Sequence, residues 1–143
     1  LPIIQDARFL QDAAMRGAKF VRVEGIGARY RVHRGNSLSR RNAGAFAADV
    51  FHNACDVQQV WSSRGGLTRA QRIALAAAYD FVCRATFAGD EAAFAASHDR
   101  FRAVAPSLRP LWPRLAGALA GTFGFRIARL LLRALGKLPG GNA

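Results

Sequence analysis

From residue 43 onward the apolar side chains of this chain recur at three- and four-residue intervals, and glycine or proline cuts each run after four to six turns. Phe46, Val50, Ala54, Val57 and Trp61 fall on one face of a helix that Gly65-Gly66 ends. Thr68 opens the next one. Its Thr-Arg-Ala-Gln pattern is a capping box, with Gln71 reaching back to the cap, and the run to about Ala88 turns Leu75, Tyr79, Val82 and Phe87 inward. Gly89-Asp90 breaks and recaps the chain, and a further helix carries Phe94, Phe101 and Val104. Pro106, Pro110 and Pro113 then punctuate the sequence before a last helix over about 114–137. Helices with one apolar stripe and short connections can bury it only against each other. Residues 43–143 are therefore expected to form an α-helical unit of about four helices.

Residues 1–42 follow a different pattern. After Pro2, the spacing of Ile3, Ala7, Leu10 and Ala14 predicts an amphipathic helix stopped by Gly17, with Asp6 near its start. Phe20, Val21 and Val23 predict a short strand, Glu24-Gly25 a turn, and the alternation over 28–33 a second strand. A basic loop follows, in which Arg31, Arg34, Arg40 and Arg41 surround His33 and a Gly-Asn-Ser turn. One helix with one strand pair cannot bury both faces of a sheet. This part is expected to lean on neighbours outside the 143 residues, and an opening at Leu-Pro-Ile-Ile, already entering a helix, fits a piece of a longer polypeptide or a processed product.

With 51% hydrophobic residues the chain has enough apolar content for one real core. Its formal charge is +12, and Lys19 and Lys137 are its only lysines. Arginine's planar fork suits phosphate and carboxylate, so the balance points to an anionic partner: nucleic acid, a membrane surface or a phosphorylated small molecule. Cys55 and Cys83 are too few for a disulfide framework, lack zinc-site spacing, and fall on apolar helix faces as buried thiols. No uncharged apolar run approaches the ~18 residues of a membrane span.

Gln5-Asp6 at a helix start, Gly17-Ala18-Lys19-Phe20-Val21, and the run Tyr30-Arg31-Val32-His33-Arg34-Gly35-Asn36-Ser37-Leu38-Ser39-Arg40 together resemble the closing segment of the catalytic domain in family 2 glycosyltransferases of the GT-A fold. The resemblance covers about the first 42 residues. It implies a mainly α chain with a short β-strand pair: residues 1–42 would end a Rossmann-like α/β GT-A domain, and residues 43–143 would be its helical extension. It also implies inverting transfer of a sugar from a nucleotide-sugar donor to a hydroxyl on a glycan, lipid-linked or other acceptor. Such transfer needs a carboxylate to take the acceptor's proton, and Asp6 matches that motif position. The family's usual preceding Glu is Gln5 here, which keeps hydrogen bonding but loses a charge. His33 matches a position that contacts metal, Mg2+ or Mn2+, and Arg31, Arg34, Ser37, Ser39 and Arg40 would line the donor diphosphate. The nucleotide-binding half and its Asp-x-Asp metal motif are not among these residues, so the fragment alone is expected to be inactive.

Two other readings compete with catalysis. The pair of helices over about 70–105 weakly resembles one tetratricopeptide unit, which would make the chain a basic binding or scaffold module, although no nucleic-acid signature accompanies it. The last helix combines Leu115, Leu119, Phe123, Ile127, Leu130, Leu131 and Leu135 with Arg114, Arg126, Arg129 and Arg133, the composition of a helix at an anionic membrane surface. The expected location is cytoplasmic, including the inner membrane face, where members of the resembled family often work.

Overall fold

The computed structural model describes residues 3–25, 27, 42–108, 119, 122 and 124–135. The described chain is mainly helical, with five helices: α1 (Gln5–Met15), α2 (Ala43–Ser63), α3 (Arg69–Thr86), α4 (Glu91–Val104) and α5 (Phe125–Ala134).

The central three form an antiparallel bundle around α3, and local chemistry sets their ends. Asn42 caps α2 by accepting from the Ala45 N–H, and Gly65 and Gly66 leave it at φ of 107° and 100°, a left-handed turn that a β-carbon would strain. At α3 the capping box forms as its residues predict: Thr68 Oγ1 accepts from the Gln71 N–H, and Gln71 Oε1 accepts from the Thr68 N–H. Asp90 caps α4 through the Ala93 N–H. The connections are too short for anything but antiparallel neighbours.

Burial follows the three- and four-residue spacing. Ala54 and Val57 of α2 meet Leu75, Ala76 and Tyr79 of α3 and Phe101 and Val104 of α4 in one cluster, with Met15, Phe51 and Trp61 packed at its edge. At the other end of the bundle Cys83 and Phe87 meet Phe94, and Leu132 of α5 closes this second cluster. Phe46 and Phe81, and Phe87 and Phe94, pack edge to face with centroids 5.5 Å apart in each pair.

Two expectations need correction. Residues 18–23 have no regular secondary structure, and Phe20, Val21 and Val23 are 60%, 83% and 82% exposed, so the first predicted strand is not formed. A strand needs a partner to satisfy its backbone and a face to pack on, and no strand occurs among the described residues. The second predicted strand, 28–33, lies outside the described residues. The last helix is also not continuous over 114–137: Leu119 and Thr122 are helical, but Gly124 takes φ 75° and α5 begins after it. Apolar spacing runs through the glycine unbroken, which is why the sequence hides the break.

Candidate functional site

The candidate base Asp6 stands on α1, which is tied to α2 by a run of polar contacts, with Ile4 buried and Met15 packed against the first cluster. Arg8, Gln11, Asp12 and Met15 recur at i, i+3, i+4 and i+7, which places them on one side of the helix. Asp49, Asn53 and Asp56 make the matching stripe on α2. The Arg8 guanidinium donates to Asp56 Oδ2 at 2.7 Å, to Asp12 Oδ1 at 3.0 Å and to Asn53 Oδ1 at 3.4 Å. The hydrogen bond to Asp56 leads in holding its pKa above the ordinary arginine value. Asn53 in turn donates from Nδ2 to Gln11 Oε1. At the ends of the helix, the Ile3 N–H donates to Asp49 Oδ2 at 2.8 Å, and Arg64 donates to the Met15 carbonyl at 3.1 Å. Asp49 and Asn53 are buried, so the network is partly shielded from solvent at its centre.

The opposite side of α1 is unused by the bundle. Asp6, Phe9, Leu10 and Ala13 repeat the same i, i+3, i+4, i+7 pattern about half a turn away. Phe9 is 73% and Leu10 52% exposed. Asp6 is exposed in the first turn and makes no hydrogen bond or ion pair with another described residue. The N-cap, Ile4, contributes no side-chain cap, so the carboxylate sits where the helix dipole favours negative charge.

A cleft of about 330 Å³ opens beside the far end of α1, lined by Gln11, Met15, Trp61, Arg64 and Gln71 among others. Its polar groups are largely committed. Gln71 belongs to the α3 capping box, Arg64 holds the Met15 carbonyl, and Gln11 accepts from Asn53.

Of the residues assigned to base, diphosphate binding and metal, Asp6 is the one that lies among the described residues. Arg31, His33, Arg34, Ser37, Ser39 and Arg40 lie outside the described residues. Among the described residues, no group of three or more His, Cys, Asp or Glu side chains is placed to hold a metal ion. The sequence reading missed the Arg8–Asn53–Asp56 network. Its signal was Asp49, Asn53 and Asp56 at helical spacing on an otherwise apolar helix, facing the one arginine in the middle of α1. No family model, curated protein or solved structure matches this chain.

Proposed function

We propose that this chain is the closing segment of an inverting glycosyltransferase of the family 2, GT-A type, with residues 1–42 ending the catalytic domain and residues 43–143 forming its helical extension. The reading rests on the resemblance of Gln5-Asp6 and the 30–40 run to that family. The observation that supports it best is the two-sidedness of α1. One side is pinned to α2 by Arg8, while the other holds Asp6 among exposed Phe9 and Leu10. An unpartnered apolar face around a free carboxylate suits a helix that completes a larger domain and presents a base to an acceptor.

In this reading Asp6 takes the proton of the attacking acceptor hydroxyl as the bond from the sugar to the donor diphosphate breaks. Arg31, Arg34 and Arg40, with Ser37 and Ser39, contact that diphosphate. A divalent cation, with His33 as a ligand, supplies further charge neutralisation when bound. The test uses the full-length enzyme with a nucleotide-sugar donor. Asp6→Asn lowers kcat by about 10²-fold or more with donor KM little changed, because only proton acceptance is lost. His33→Ala and Arg40→Ala raise donor KM and lower kcat together, since bound donor and leaving group carry the same charge. Normal turnover in Asp6→Asn with only a lower Tm reduces Asp6 to a helix-end charge and removes the reading's central residue.

A further inference from the structure

Helix α5 carries one wide apolar arc, and the bundle covers only one edge of it. Ala128 and Leu132 are 0% and 3% exposed, and Leu132 docks on Cys83, Phe87 and Phe94. Arg126 Nε adds a second tie, donating to the two Glu91 oxygens at 3.1 and 3.2 Å. Each residue advances the helix by about 100°. Leu130 therefore points roughly opposite Leu132, and Ile127 and Leu131 lie between the two, on the side away from Arg126 and Arg129. Leu130, Ile127 and Leu131 are open to solvent, at 64%, 50% and 39%, and Leu135, one residue past the helix, is 60% exposed. Four of the eleven large hydrophobic side chains exposed among the described residues thus fall within nine positions. A helix that only packed on the bundle would carry polar residues there.

The charge around this stripe identifies its occupant. All nine acidic residues lie at or before Asp99, whereas eight of the 21 basic residues follow it, Arg126 and Arg129 among them. The chain from residue 100 to 143 is thus eightfold positive with no acid to offset it. Helix α5 has ten residues, about 15 Å of helix, and no helix among the described residues is long and apolar enough to cross a membrane. A short helix with an outward Ile–Leu stripe edged by arginine matches a surface that is apolar just below a layer of negative charge.

We propose that α5 seats this protein on an anionic lipid surface, lying in the plane of the interface with Ile127, Leu130 and Leu131 in the acyl boundary and Arg126, at the edge of that stripe, reaching the phosphates. The proposal stands apart from glycosyl transfer and is read by binding alone. The 143-residue chain is sedimented with phosphatidylglycerol/phosphatidylcholine vesicles and with pure phosphatidylcholine vesicles, at low and high salt. Binding is at least tenfold tighter to the anionic vesicles at low salt and falls as salt rises. Ile127→Gln with Leu130→Gln weakens it by about tenfold or more per side chain withdrawn from the lipid. Arg126→Gln weakens it by about fivefold at low salt and little at high salt. Both variants keep their helix content, because the changed apolar residues contribute nothing to the bundle core. Equal, salt-insensitive binding to both vesicle types overturns the proposal, as does a double variant that binds like the parent. A parent chain that ignores vesicles but dimerises, and becomes monomeric in the double variant, assigns the stripe to a second copy instead.

Discussion

A tyrosine with no exposed surface holds its place only if its hydroxyl is satisfied, and Tyr79 donates to Gln58 Oε1 at 2.6 Å, with Cys55 Sγ 3.8 Å away. Burial, reinforced by Cys55, raises its pKa well above the ordinary value. Tyr79→Phe keeps the ring in the core and removes that bond, so urea unfolding should report a loss of about 1 kcal/mol, roughly 3 °C in Tm. His98 offers a pH test. Its ring stacks on Phe94 at 5.7 Å, and burial lowers its pKa below the ordinary 6.5, with Asp99 opposing and Arg102 assisting. The unfolded chain then takes up the proton at a higher pH than the folded one. Stability falls as pH drops through about 6.5 toward the folded-state pKa and levels off below it. His98→Phe keeps an aromatic stack and cannot titrate, so its Tm should decline less than the parent's over that window. A Tm decline as steep as the parent's assigns the acid sensitivity to other groups. At this scale the sequence was legible where a residue's role depends on its near neighbours. It was not legible at Arg8, because nothing in the chain says that residue 8 will meet residue 56.

The helix caps were the most readable elements, since a cap is closed by atoms three residues apart. Thr68, Gln71 and Asp90 took the roles their spacing predicts. Thr68→Ala should cost about 1 kcal/mol, measured as a shift in the urea midpoint at unchanged slope. Thr68 and Gln71 satisfy each other's backbone N–H. The double variant should therefore differ from the sum of the singles, whereas strict additivity would mean that the box is not a unit in solution. The strand over residues 20–23 failed for the complementary reason. Phe20, Val21 and Val23 record what a segment would do beside a partner strand, and no partner is found among the described residues. Helix α5 shows its apolar and basic residues in the sequence, but not how little of its apolar arc the bundle covers. Periodicity gives the width of an apolar arc and cannot say which part of it faces the bundle.

At the scale of the molecule, apolar burial falls into two clusters at opposite ends of the α3–α4 pair, and only the second depends on α5. The two cysteines report on them separately. Cys55 is half-buried at the edge of the first cluster, while Cys83 is 1% exposed in the second, where burial and then the Asp80 carboxylate push its thiol up to about 12. Thiol reagents attack the thiolate, so Cys83 should label far more slowly than Cys55 in the folded chain. Leu132→Ala removes the side chain that α5 inserts over Cys83, and a buried Leu→Ala change costs about 2–5 kcal/mol where it is felt. If α5 docks as a separate unit, that cost falls on its docking equilibrium alone. Cys83 labelling then accelerates by at least tenfold, while Cys55 labelling and the main unfolding transition stay near the parent's. If both thiols accelerate together and Tm drops, the bundle and α5 fold as one. The separable outcome fits a helix held, among the described residues, by Leu132, the buried Ala128 and an exposed arginine–glutamate pair, since such a pair adds little in water. It also allows α5 to shift toward an outside surface without opening the α2–α3–α4 core.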